Sequence, residues 1–133
     1  MTNLQPGLSA TLSQTVTQTM TASHVGSGAV AVLATPEVAL LFEKAAVAVL
    51  REHLPEGQTS VGTKLSFSHL APTPVGMTVS VTAALIDVDG RKLTFDLLAS
   101  DEVEPIARGT HTRFLVDKAR FMRKAQEKGR YTV

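Results

Sequence analysis

Cysteine is absent from the 133 residues. That excludes a disulfide framework, a thiol nucleophile and every Cys-ligated zinc or iron–sulfur site. Tryptophan is absent too and tyrosine occurs once, which argues against a stacking platform for single-stranded nucleic acid. The net charge is only +1, so no global field favours nucleic acid or acidic lipid, and neither partner is expected. No long uninterrupted hydrophobic run occurs. The most apolar stretch, Val25 to Leu50, is broken by Glu37, Glu43 and Lys44, which rejects a transmembrane helix. The N-terminus lacks a charged region followed by an apolar one, so no signal peptide is predicted and the expected compartment is the cytoplasm. Phosphate-loop and dinucleotide glycine patterns are missing, as is a Gly-x-Ser-x-Gly elbow. The four histidines are too scattered to propose a metal site.

What is present is an ordinary globular composition, 44% hydrophobic and 19% charged. A chain of this length is expected to form one domain over residues 1–133, burying roughly two thirds of its unfolded surface. Residues 1–10 and 126–133 are expected as flexible tails. Charge is unevenly placed: residues 117–130 carry six Lys/Arg against two acids, and the remainder seven against ten. Such a basic segment reads as a solvated helix or an anion-binding edge.

The first 23 residues hold nine Ser/Thr and no charged side chain. Thr15, Thr17, Thr19 and Thr21 alternate with Val16, Gln18, Met20 and Ala22, which suggests extended chain. His24 to Gly28 reads as a loop. Thr35-Pro36-Glu37 is a helix start, with Thr35 as candidate cap. Val38, Leu41, Phe42, Ala45 and Val49 then share one helical face, and the helix is expected to end by Leu54, before Pro55. After residue 57 the period becomes two. Strands are predicted around Val61–Phe67, Val79–Leu85 and Leu93–Ala99, with Asp89-Gly90 as a hairpin turn. A further strand is predicted from Ile106 to Val116. Asp117 to Lys128 reads as a terminal helix with Ala119, Met122 and Ala125 inward. One long helix against about four antiparallel strands is an α+β arrangement. A twisted antiparallel sheet wrapped around a long central helix is the hot-dog fold, although the pattern alone also allows other α+β sandwiches.

Some side chains could carry chemistry. Glu43 lies eight residues after Thr35, about 80° past two full helical turns, so the two occupy adjoining sides of the helix. Glu43 borders the apolar face and is either turned into a pocket or tilted to water. His69 stands beside a strand end and a Pro-rich turn, a fitting place for acid–base work. His53 suits a helix C-terminus, and His24 is uninformative. His111 shares a strand face with Arg113, which by itself reads as packing and salt bridging.

Taken together, these segments resemble the hot-dog acyl-CoA thioesterases of the fluoroacetyl-CoA thioesterase type. The resemblance rests on Thr35 through Glu43, on Ser60-Val61-Gly62-Thr63 and on His69 through Val79. It continues in Val88 through Leu93, in Gly109-Thr110-His111-Thr112-Arg113 and in Phe121. It covers about residues 25–125. It implies an acyl-CoA thioesterase that releases a carboxylic acid and free CoA. By position in the family, the catalytic set falls on Thr35, Glu43 and His69, with the Gly62 N–H in the oxyanion hole. Arg113 takes the place of a family arginine and, with Gly62, is expected to bind substrate. No metal is implied, and no cofactor beyond coenzyme A as part of the substrate. A homodimer or a dimer of dimers is expected, with sites at the interface. The family's aromatic lid before the Thr corresponds here to Gly26 and Ala29, a departure that implies a more generic acyl preference. The alternative within the same fold is a non-catalytic protein that binds acyl-CoA or an acyl carrier.

Overall fold

The computed structural model describes residues 4–130. Five strands form a single antiparallel sheet: β1 (Ser9–Thr15), β2 (Gln58–His69), β3 (Thr78–Asp89), β4 (Lys92–Ser100) and β5 (Pro105–Asp117). Their spatial order is β1-β3-β4-β5-β2, so β1 and β2 are the edges. Three helices accompany them: α1 (Ala22–Val25), α2 (Thr35–Leu50) and α3 (Lys118–Gly129). The sheet closes around α2, as the hot-dog reading anticipates.

The helix α2 forms where its sequence favours it. Pro36 sits in the first turn without costing a hydrogen bond, and Glu37 meets the positive end of the dipole. The cap, however, is Ala34 and not Thr35. Thr35 already has helical backbone, and its hydroxyl turns to His69 instead. The helix ends at Leu50, short of Leu54, because residues 51–53 tighten into a turn with His53 N–H on the Leu50 carbonyl. Sixteen residues span about 24 Å. Val38, Leu41, Phe42, Ala45 and Val49 are buried, as the periodicity predicts, and Ala46 and Leu50 join them. They pack on the inner faces of the strands, where Val79, Val81, Leu93, Phe95 and Ile106 lie. Phe42 also meets Phe67 of β2 edge to face, with ring centroids 5.2 Å apart.

The N-terminal segment departs from its period-two reading. The strand is earlier, Ser9–Thr15, and pairs with β3 from Ser9↔Ala84 to Thr15↔Thr78. Residues 9 and 10 are therefore part of the sheet and not of a tail. Beyond Thr15 the chain leaves the sheet. Val16 exchanges backbone bonds with Met77 and Gly76, Gln18–Met20 makes a 3-10 turn, and Met20 is buried in the core. Residues 22–25, partly within the expected loop, form the one-turn helix α1, which ends on Gly26 at φ 83°. The Asp89-Gly90 hairpin is present, with Gly90 at φ 60°. At the C-terminus α3 is capped by the Asp117 carboxylate, which accepts from the Arg120 N–H. Ala119, Met122 and Ala125 were expected inward, yet no α3 residue is buried. Helix α3 runs through residues 126–129 of the expected tail; residues 1–3 and 131–133 lie outside the described residues. No helix among the described residues is long and apolar enough to cross a membrane.

Phe42 is fully buried at the centre of this arrangement. Phe42→Ala is expected to cost about 3–5 kcal/mol of unfolding free energy, measured by urea titration; a loss under about 1 kcal/mol would contradict the core assignment.

Candidate active site

The sequence-derived residues fall into two clusters. Thr35 opens α2 and His69 closes β2. The start of α2 is pinned to neighbouring loops by Leu33 N–H on the Thr73 carbonyl and Ala34 N–H on the Met20 carbonyl. Leu70 N–H bonds the Ile106 carbonyl and holds the end of β2. This brings Thr35 Oγ1 within 2.8 Å of His69 Nδ1. The other ring nitrogen, His69 Nε2, is enclosed and has no hydrogen-bond partner. Such a group costs about 1–3 kcal/mol and calls for a functional explanation. Burial lowers the imidazole pKa below its ordinary value, only partly opposed by a backbone bond to Ala71. His69 is therefore a neutral imidazole with one nitrogen spoken for and one free. It borders a cavity of about 310 Å³ that Thr35, Val32, Leu33 and Gly28 also line.

The second cluster is built around a buried cation. Arg113 of β5 is 6% exposed. Its Nε donates to Ser60 Oγ at 2.8 Å and its Nη2 to the Ser60 carbonyl at 3.1 Å. Its Nη1 faces His111 Nε2 at 3.1 Å and Glu43 Oε2 at 3.5 Å. The His111 ring resolves its own tautomer. Nδ1 lies 2.8 Å from the Lys64 carbonyl, which can only accept, so Nδ1 carries the proton. Nε2 is then a lone pair and accepts from Arg113. Burial lowers the His111 pKa most, and the Arg113 charge adds to the effect against opposing contributions from Lys64 and Glu43.

Glu43 stands above this cation with its side chain 45% exposed. It shares a cavity of about 470 Å³ with Leu12, Leu40, Lys44, Val47, Arg51 and Arg113. Gly62 lies opposite Arg113 in the β2–β5 ladder, just before a break in register that leaves Thr63 unpaired. A Cβ at Gly62 would sit 2.8 Å from Glu43 Oε2, 3.1 Å from His111 Cε1 and 3.2 Å from Arg113 Nη1. A side chain there would push the carboxylate from its present position.

The structure thus joins Thr35 to His69, and Glu43 to Gly62 and Arg113. No hydrogen bond links the two clusters within one chain. Thr35 and Glu43 are eight residues apart, an axial rise of about 12 Å. In the sequence Ser60 stands only as part of a segment of the family resemblance, and His111 with Arg113 reads as packing and salt bridging; neither Ser60 nor His111 is singled out for the site. The same-face pairing of His111 with Arg113 was the available signal. His24 and His53 lie outside both clusters. Among the described residues, no group of three or more His, Asp and Glu side chains could hold a metal ion.

Comparison with known proteins agrees with the family resemblance. Residues 16–119 match the family described as fluoroacetyl-CoA-specific thioesterase. The fluoroacetyl-CoA thioesterase of Streptantibioticus cattleyicolor is 39% identical over 97 residues, 73% of this chain and 70% of that protein. The solved fluoroacetyl-CoA thioesterase FlK superposes with a TM-score of 0.88 at 32% identity, covering 95% of this chain and 98% of that one. A thioesterase superfamily member from Thermus thermophilus superposes equally well, TM-score 0.88, at 26% identity over 99% of this chain and 100% of its own. The chain belongs to the fluoroacetyl-CoA-specific thioesterase family and is a thioester hydrolase of hot-dog fold.

Proposed function

We propose that the protein hydrolyses acyl-CoA thioesters with Glu43 as the reacting carboxylate, at a site completed by two copies of the chain. The observation that carries this reading is the posture of Glu43. One oxygen is turned to a buried guanidinium that is itself tied to Ser60 and His111, and the carboxylate opens on a cavity large enough for an acyl chain. A carboxylate so oriented can attack the thioester carbonyl or take a proton from the attacking water. The Gly62 N–H, beside it, supplies a donor for the developing oxyanion. His69, oriented by Thr35, is a neutral imidazole whose Nε2 is free to serve the thioester sulfur. Water then yields the carboxylic acid, and the proton it loses leaves with CoA thiol.

The separation of the clusters supports a shared site. β2 is a twelve-residue edge strand with an unpaired row of backbone groups. Antiparallel pairing of two β2 edges brings the His69 end of one strand to the Gln58 end of the other, the end that carries Gly62. The orphaned imidazole of one copy then approaches the carboxylate cluster of its mate. Gly26 and Ala29, which stand where the family carries aromatic lid residues, are small and exposed, which favours a broader acyl range than fluoroacetyl alone.

Glu43→Ala is expected to reduce turnover at least about 100-fold in a thiol-release assay. The assay uses a panel running from acetyl- and fluoroacetyl-CoA to branched, aromatic and long-chain esters. A loss below about threefold would remove Glu43 from the chemistry. Mixing the inactive Glu43→Ala and His69→Ala chains is expected to restore activity through heterodimers with one intact site. Failure to recover any activity from co-refolded chains would argue for a site within one chain. The two depressed imidazoles also set a pH dependence of stability. Both bind a proton less readily folded than unfolded, so the unfolded chain holds more protons below about pH 6.5. Unfolding free energy should fall as pH drops through that value and level off below the folded-state pKa values. Urea titrations at pH 7.5 and 5.5 check it, and His111→Gln should flatten the slope.

A further inference from the structure

A CoA ester ends in a polyanionic nucleotide, and the cation expected to meet it is already committed. Arg113 is buried, and its donors go to Ser60, His111 and Glu43. Lys44 and Arg51 stand free beside Glu43, but the densest unpaired positive charge lies on α3. Lys118, Arg120, Arg123, Lys124, Lys128 and Arg130 are all exposed, and none of them forms an ion pair among the described residues. Helix α3 buries no side chain, so the core does not account for it. Its like charges at spacings of three and four, Arg120 with Arg123 and Lys124 with Lys128, work against the helix. Amid them stands an exposed aromatic ring, Phe121, 42% accessible. Lys118, Lys124 and Lys128 lie three before, three after and seven after it, on one helical face.

We propose that α3 is the arm that recognises the nucleotide end of the CoA substrate, its cations on the phosphates and Phe121 against the adenine. This rests on the acyl-CoA reading above. Charge complementarity chooses the occupant, and an exposed ring among cations is the chemistry that holds a base and its phosphates together. Position supports it. Lys118 N–H bonds the Gly57 carbonyl at 2.9 Å, which fixes the start of α3 at the rim of a cavity of about 340 Å³. That cavity shares Val47 and Arg51 with the one that holds Glu43. Read as one groove, the two lead from the carboxylate past Arg51 to Gly57, beside the root of α3. Eight residues of helical rise, about 12 Å, separate Glu43 from Arg51 alone. The extended pantetheine arm puts the phosphates away from the thioester, so their cations belong at the far end of such a groove.

The test compares wild type with K118E/K124E/K128E and with F121A, all expected to fold because α3 buries nothing. Each is assayed on the best CoA ester of the panel and on the same acyl group carried by N-acetylcysteamine, which lacks the nucleotide. The charge-reversed variant should raise KM for the CoA ester about tenfold with kcat nearly unchanged, and lose the wild type's rise of KM with salt. F121A should raise the same KM about fivefold. Neither should alter hydrolysis of the N-acetylcysteamine ester. Unchanged KM for the CoA ester, or equal losses on both esters, overturns the proposal. Capture of the wild type by phosphatidylserine vesicles with KM unmoved by the charge reversal also overturns it, in favour of a lipid surface. Calorimetry with adenosine 3′,5′-bisphosphate separates the two readings. Binding lost only in the α3 variants supports the arm even if no ester is cleaved, a result that would defeat the thioesterase assignment instead.

Discussion

A guanidinium removed from water must spend each donor on an acceptor, because a buried charge left unpaired costs several kcal/mol. Arg113 meets that demand with three elements at once: Ser60 on β2, His111 on its own strand and Glu43 on α2. The direction of the Glu43 carboxylate follows from it, and the Arg113 charge adds to the burial that keeps His111 neutral. Replacing any one partner disturbs the others, since the same nitrogen, Nη1, faces both the imidazole and the carboxylate. The link to Glu43 is the longest of the set at 3.5 Å. The carboxylate is steered by the cation yet remains partly solvated, a posture that suits the reacting role proposed for it.

Gly62 belongs to this same constraint. The family resemblance gives it a backbone donor role, whereas the packing shows an additional one. A Cβ there would stand 2.8 Å from Glu43 Oε2 and press on the carboxylate. The adjacent break in the ladder leaves Thr63 unpaired and turns the strand there. The proposed roles, a backbone donor at Gly62 and a reacting carboxylate at Glu43, call for the two to stand side by side, and glycine at a bulge permits that closeness.

Much of this was legible in the sequence where a period could be counted. The apolar face of α2, the Asp89-Gly90 hairpin and the strand alternation from β3 to β5 each bury as their spacing requires. Thr35 was less legible, because a threonine before proline is an apt cap. Only tertiary contact shows Ala34 capping while the Thr35 hydroxyl serves His69. Thr15 to Ala22 alternates as well as β1 does, but Met20 and Thr21 are buried away from the sheet. Tertiary burial overrode propensity there. In α3 the spacing of Ala119, Met122 and Ala125 promised an inner face that the fold does not use. Ser60 was legible only as a neighbour of Gly62 in the family resemblance, because an arginine's partner on another strand leaves no local pattern.

Helix α2 acts as a ruler in this protein. It carries Thr35 at its start and Glu43 two turns on, and a rigid helix cannot bend to bring them closer. Motion within one chain therefore does not easily merge the two clusters. Their union needs either a substrate that reaches both or a second chain that supplies one of them. The free Nε2 of His69 bears on that choice. A half-buried imidazole with one ring nitrogen shielded and unsatisfied is half of an interaction. Its strand is also the open edge of the sheet, where a second copy can add. The unmet hydrogen bond and the unmet strand edge thus lie on the same element, which is the physical ground for the proposed pairing.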